Sequence, residues 1–422
     1  MNTHATKPAV LILGNYRPCL PLARELHQAG YRVVITAGCS GERCEYSRYV
    51  DECWDHPPLE NTQAFFAALA AFLESRGDIE VVYPVWEICL SGLIDNFDHM
   101  PTDRLYAMAN KATVQLSLDK GRMLDRIKSL GLPNATAVAV GDYGELTRTV
   151  ESEIGYPAII RPVSSKHRID GKKAVILRSR EDRELFLPTW PERCGDLIVQ
   201  RYVEGPRLNV YFAANQGQPI RYQASQIFKT DVSDGTGFAV HGQTIAMNHQ
   251  LTGVCDTILR DMKYHGIGLM QFIEDEASGA PVFLELNPRV SGSHAIPEHC
   301  GMELSILGIE LARDDAVSHP VRFGDSSKTY VWTYGELSGI ARSLKGREIG
   351  LGRAAIDGIK CIWRALTASV DMTGQLTDPL PCLALFARKL SVANAALKPF
   401  RARKSKSFPI VLPSPNNSET PL

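Results

Sequence analysis

The sequence predicts an α/β protein, and three observations carry that reading. Strand and helix patterns alternate at the start of the chain, a two-stranded hairpin with a polar face lies between Gly266 and His294, and amphipathic helical patterns fill the region beyond Pro320. At 422 residues the chain is too long for one small core and calls for two or three domains. Its net charge of -1 and 44% hydrophobic residues are ordinary for a globular protein, and exclude binding of nucleic acid through bulk positive charge.

Residues 9–14 read as an apolar strand, 21–29 as a helix and 31–36 as a second strand, an order that requires a right-handed crossover and a parallel sheet. No G-x-G-x-x-G follows Gly14, so a tight strand-to-helix turn is favoured over dinucleotide binding. A helix over 61–74 and a strand over 81–84 continue the alternation. Glu87 follows that strand's carboxyl end, where ligands bind in open sheets; it reads either as lining a cleft or, more simply, as a solvated or capping acid. Asp119 and Lys120 open a helix that ends at Gly131, with Leu124, Ile127 and Leu130 as its apolar stripe.

Residues 156–162 form a strand ending in Arg161, followed by a serine-containing polar loop; an arginine there can hold phosphate oxygens or simply face solvent. The strand 197–203 closes at Glu204-Gly205-Pro206, and strands over 210–213 and 220–228 follow. Lys229 and residues 231–237 make a polar loop that suits a lid or a plain surface connection equally well. A helix over 255–264 leads into the hairpin. Helical patterns over 338–370 and 381–397 carry no chemical cluster. Arg401, Arg403, Lys404 and Lys406 in the tail can touch an anionic membrane or acidic partner, but a disordered, solvated tail is the favoured reading.

In the hairpin, residues 269–273 lead in, Ser278-Gly279 turns, and residues 282–286 lead out. Strict alternation puts Phe283, Glu285 and Asn287 on one face and Val282, Leu284 and Leu286 on the other. A carboxylate and an amide in an apolar strand are costly to bury unless something charged satisfies them. A hairpin symmetric about Ser278 sets Gln271 opposite Glu285, so three oxygen donors converge in a way that suits magnesium. Arg289 then sits at the edge, placed to grip an anionic group with its two-pronged fork.

The ten cysteines form no Cys-x-x-Cys pair, which removes the usual zinc spacing and points to free thiols in a reducing cytoplasm. The N-terminus makes a poor signal peptide, and no segment has the roughly 18 unbroken apolar residues of a membrane span. There is no phosphate-loop lysine motif and no nucleophile elbow. His294, His299 and Cys300 invite a metal reading, but their spacing fits helix-cap or loop roles better.

On these residues, over about 8–315 and most closely from Gln271 to Arg289, the chain resembles the ATP-grasp superfamily, in its carbamoyl-phosphate-synthetase-like, carboxylate-amine ligase branch. The resemblance implies a Rossmann-like pre-ATP-grasp domain over 1–112 and an ATP-grasp fold of two lobes clasping ATP over 113–315, to which the chain's own patterns add a mainly helical extension over 316–400 and a disordered tail over 401–422. It implies that Gln271, Glu285 and Asn287 ligate Mg2+ or Mn2+, and that Lys120, Arg161 and Arg289 act on the phosphates or the substrate carboxylate. It further implies that Ser164 and Ser165 face the phosphates, and that Gln200, Arg201, Tyr202 and Val203 form the adenine-reading hinge.

Three departures stand out. Arg161 stands where the family has a lysine. The loop over 164–171 is poorer in glycine than the family's phosphate flap, leaving Ser164, Ser165 and Lys166 to compensate. Arg207 stands where relatives have a glutamate that accepts the ribose hydroxyls, so that either neighbouring Glu204 takes that role or the ribose is held loosely. The implied activity is ATP-dependent joining of a small-molecule carboxylate to an amine, without nucleic acid or stable membrane insertion, by a cytoplasmic protein for which a homodimer is allowed. A non-catalytic ATP-binding regulator is the alternative, and an oxidoreductase built on the N-terminal sheet a weaker third.

Overall fold

The structure, a computed structural model, describes residues 7–38, 43–163, 169, 172–186, 196–313 and 320–389. Three sheets organise the chain. The first is fully parallel, in the order β3-β2-β1-β4-β5, from β1 (Ala9–Leu13), β2 (Arg32–Thr36), β3 (Glu52–Trp54), β4 (Ile79–Pro84) and β5 (Leu105–Tyr106). Its β1 is buried on both faces, as a parallel strand covered by helices must be.

The second sheet is small and antiparallel, in the order β6-β9-β7-β8, from β6 (Ala137–Val140), β7 (Ala158–Pro162), β8 (Val175–Leu177) and β9 (Leu197–Arg201). The third has eight strands. Its core is β10 (Arg207–Asn215), β11 (Gln218–Thr230), β12 (Ala239–Ile245), β13 (Gly266–Glu274) and β14 (Pro281–Asn287), and it is completed by β15 (Arg322–Phe323), β16 (Thr329–Val331) and β17 (Val370–Asp371). The main path runs β14-β13-β10-β11-β12-β16-β17, with β15 beside β11. Beyond Pro320 the chain is therefore not purely helical, since its short strands extend the large sheet past β12.

Helix starts are set by local chemistry. Asn61, Asn110, Asp119, Asp142 and Asn248 each accept the backbone N–H three residues on, satisfying a donor that the helix itself leaves unpaired. One hydrophobic cluster joins Val10 and Ile12 of the parallel sheet to Tyr211, Ile267, Trp332 and Met372. A second packs Met123, Leu124 and Ile127 of the Lys120–Ser129 helix against Met270, Phe272, Phe283 and Leu286 of the hairpin. The two clusters thereby cover both faces of β13, and the second covers one face of β14.

Candidate active site

Gln271 lies opposite Glu285 in the β13–β14 ladder, as hairpin symmetry predicts. One residue later the register slips, pairing Phe272 with Phe283 and leaving Leu284 as a bulge. The slip reverses the alternation, and this corrects the sequence reading of the strand. Phe283 turns into the core against Phe272, with ring centroids 5.8 Å apart, while Glu285 and Asn287 remain on the half-buried opposite face.

Gln271 also faces Asn209 of β10, which faces Ser225 of β11, which faces Thr244 of β12. A polar row thus crosses five strands of an otherwise apolar sheet. Two of its members, Gln271 and Asn209, are joined by a hydrogen bond, whereas the buried Ser225 hydroxyl has no partner among the described residues. The Gln271 Nε2 donates to Asn209 Oδ1 at 2.6 Å, and Asn287 Nδ2 donates to Glu285 Oε1 at 3.1 Å. Among the described residues no group of three His, Cys, Asp or Glu side chains is placed to hold a metal; the donors gathered here are one carboxylate and amides.

Positive charge surrounds Glu285. Burial alone would raise its pKa, but Lys120, Arg161 and Lys173 outweigh that and, with the Asn287 hydrogen bond, hold the carboxyl at about 2. Lys120 begins its helix and points its ammonium at the Pro162 carbonyl, 3.5 Å away at the end of β7. Arg161, also on β7, reaches across to the large sheet and donates to the carbonyl of the bulged Leu284 at 3.1 Å. Its guanidinium pKa is lowered by burial, against the pull of Glu285.

Arg289 joins the hairpin to the parallel sheet. It donates to the Tyr16 hydroxyl at 3.3 Å and the Val290 carbonyl at 3.1 Å, and pairs with Glu87 at 3.4 Å. Tyr16 and Glu87 follow the carboxyl ends of the neighbouring strands β1 and β4. Glu87 is thus the first residue of its helix and also an ion-pair partner, more than a solvated acid. Beside it, Arg17 donates to the Gly292 carbonyl at 2.5 Å and lies over the Trp332 ring at 3.7 Å.

The residues of the predicted hinge run from the end of β9 into its connection to β10. Gln200 is buried with its Nε2 unpartnered, Arg201 is exposed, Tyr202 donates its N–H to the Pro157 carbonyl at 3.1 Å, and Val203 is half-buried. Glu204 is exposed, and its carbonyl accepts from Glu276 N–H at 3.0 Å. Arg207 donates to the Gly235 carbonyl at 2.6 Å and to the Gly237 carbonyl at 3.2 Å. One guanidinium therefore fastens the loop over 231–237, and Arg342 also holds it through Asp231 at 3.1 Å.

Lys120, Arg161, Gln271, Glu285 and Asn287 come together, and Arg207 and Arg289 both feel the Glu285 charge. Ser164 and Ser165 lie outside the described residues. The cavity of about 480 Å³ lined by Val175, Leu177, Leu185 and Phe186 includes none of these side chains. His294 is buried, bonded to Ser305 at 2.8 Å and beside Glu25 at 3.5 Å, so it is a core histidine at the start of a short helix. Asn209, Tyr16, Arg17 and Lys173 were not anticipated. Asn209 interrupts an apolar strand just as Glu285 does, and that interruption was its one signal in sequence.

Residues 193–331 match the family described as ATP-grasp in the biosynthetic pathway with Ter operon. None of the curated proteins is similar enough in sequence to match. Among solved structures, N5-carboxyaminoimidazole synthetase from Staphylococcus aureus aligns with TM-score 0.58 at 15% identity, over 78% of this chain and 83% of that one. The chain has the ATP-grasp fold. The biotin carboxylase domain of Hydrogenobacter thermophilus 2-oxoglutarate carboxylase, solved with MgADP, ADP and bicarbonate, aligns with TM-score 0.61 at 17% identity, over 77% and 74%. L-amino acid ligase from Bacillus licheniformis aligns with TM-score 0.55 at 14% identity, over 73% and 75%. In ATP-grasp terms the small antiparallel sheet is one lobe and the large sheet the other, preceded by the parallel sheet. Arg161 and residues 201–206 are points where the two lobes touch or join.

Proposed function

We propose that the protein is an ATP-dependent ligase that activates a small-molecule carboxylate as an acyl phosphate and joins it to an amine, releasing ADP and phosphate. The observation that carries this reading is the gathering of one ionised carboxylate, two amides and several cations on a single face of the large sheet. Glu285, Gln271 and Asn287 fit a magnesium ion. Glu285 stays charged at any physiological pH, and Asn209 occupies the Gln271 nitrogen, leaving its oxygen to ligate. Mn2+ suits the same donors. When bound, the ion would supply positive charge that offsets the charge of the ATP phosphates.

In-line phosphoryl transfer asks the protein mainly for position and charge. Lys120 and Arg161 would steady the phosphates from the small lobe, with Ser164 and Ser165 beside them. Arg289, oriented by Glu87 and Tyr16, would hold the carboxylate that attacks the terminal phosphorus. Gln200, Arg201, Tyr202 and Val203 would receive the adenine. Glu204 would accept the ribose hydroxyls, because Arg207 is committed to the 231–237 loop. That loop would cover the acyl phosphate against water until the amine displaces phosphate. The eight described cysteines are free thiols, which suits the reducing cytoplasm proposed as the setting.

The test is incubation with ATP, magnesium and pooled amino acids and small carboxylates, followed by mass spectrometry. A condensation product formed with stoichiometric ADP is expected, and Glu285→Ala should keep its circular dichroism while releasing no ADP. Stoichiometric ATP binding with no ADP across the panel would instead indicate a nucleotide-binding regulator.

A further inference from the structure

A surface helix normally turns its apolar stripe toward the core. The helix Leu351–Thr367 does the opposite. Its inward side is small or polar: Cys361 is fully buried, and Ala354, Asp357, Gly358, Arg364 and Ala365 are half-buried. Arg364 pairs with Glu336, and the Cys361 thiol donates to the Thr333 carbonyl at 3.8 Å. The outward stripe carries Leu351, Ile356, Ile359, Ile362, Trp363 and Leu366, exposed by 78%, 53%, 69%, 56%, 65% and 81%. At about 100° per residue these six side chains fall within about 140° of arc, one continuous apolar strip. Exposed apolar surface of this kind marks an interaction site.

We propose that this helix rests on an anionic membrane surface, with its apolar stripe at the boundary between headgroups and acyl chains. Charge selects this occupant. Arg353 and Lys360 are exposed along one margin of the stripe, while Asp357, the helix's only acidic residue, is turned inward and bonded to Arg353 at 2.9 Å. The chain that follows is strongly basic. It contributes Arg388, Lys389, Lys398, Arg401, Arg403, Lys404 and Lys406, with no Asp or Glu between Asp378 and Glu419. An apolar face with an interfacial tryptophan, a basic margin and an acid-free basic segment together form the combination that anionic bilayers attract. A second copy of the chain fits less well, because two-fold packing about Ile359 would set Lys360 against its own copy. No helix among the described residues is long and apolar enough to cross a membrane, so the contact is peripheral.

Flotation of the full chain with phosphatidylcholine vesicles, with and without phosphatidylglycerol, tests the proposal. The protein should partition onto the phosphatidylglycerol vesicles, and raising the salt should weaken that partition. The double variant Ile359→Glu/Trp363→Glu should lose at least about tenfold in partition. Both substitutions point to solvent, so circular dichroism and the rate of ATP turnover should stay unchanged. Absence of partition, or equal partition onto both vesicle types, overturns the proposal. So does a concentration-dependent dimer in sedimentation velocity that the same double variant dissolves.

Discussion

Gln271 and Asn209 are joined across the β13–β10 ladder by a 2.6 Å hydrogen bond in which the Gln271 amide nitrogen is the donor. Asn209 is 2% exposed and fixed by its place in the strand, so it dictates which end of the Gln271 amide faces Glu285. Partners that orient a metal ligand typically matter about 10- to 100-fold in affinity. Asn209→Leu should therefore raise the magnesium concentration for half-maximal ADP release by about tenfold. Asn209→Asp keeps the acceptor but buries a carboxylate, so it should recover part of the magnesium affinity while losing stability. A magnesium titration of the three proteins checks both.

Arg207 holds the carbonyls of Gly235 and Gly237 together. Removing it frees the Gly235–Gly237 end of the loop, while Asp231 keeps its ion pair with Arg342 and Val232 its bond from Thr230. Arg207→Ala should speed amide exchange in this loop and raise the share of ATP hydrolysed without product, since the acyl phosphate would meet water. Both bonds come from one guanidinium nitrogen, so Arg207→Lys, whose ammonium also carries several donors on a different stem, should rescue in part. Hydrogen–deuterium exchange and the ratio of ADP to product report the two effects separately.

Gly205 sits in the connection between the lobes at φ +145°, and a Cβ there would lie 1.9 Å from the Glu274 carbonyl oxygen. Side chain and backbone conformation are both excluded at this point. Gly205→Ala should cost about 1–3 kcal/mol of stability. Gly253→Ala, on a helix where an added Cβ meets nothing within 4 Å, should be neutral or stabilising. Urea denaturation distinguishes the two variants.

Burial and the neighbouring Glu25 carboxylate push Glu298 up to about 7, although Arg24 pairs with it at 2.9 Å. Between about 4.5 and about 7 the folded chain therefore binds more protons here than the unfolded chain. Stability must fall as pH rises through that window, then level off. Glu298→Gln removes the titration, so it should gain on wild type by about 1–3 kcal/mol between pH 5 and pH 8. Paired denaturation curves at the two pH values measure the difference.

Local chemistry made part of this structure readable in advance. The Ser278-Gly279 turn fixed where the hairpin folds, so Gln271 could be set opposite Glu285 before any coordinates. The same rule failed one residue later. Period-two alternation has no way to register an extra residue, and the Leu284 bulge moved Phe283 to the other face. Asn209 and the ion pair of Glu87 with Arg289 escaped for a different reason, because the partners lie 62 and 202 residues away and nothing local announces them. The strands β16 and β17, of three and two residues, are too short to leave a pattern in a stretch dominated by helical spacing.

The extension of the large sheet by β16 and β17 bears on how the chain can be divided. The family-matched segment 193–331 stops at the last residue of β16. A fragment with those ends would discard Met372, Val10 and Ile12, which share a hydrophobic cluster with Tyr211 and Ile267 inside the segment. It would also lack β17 and the Lys120–Ser129 helix that covers Met270 and Phe283. Such a fragment would show water a raw apolar surface and a sheet margin with unpaired amides, the features that drive chains to stick to one another. The recognisable part of this protein is therefore smaller than the part that can stand in solution by itself.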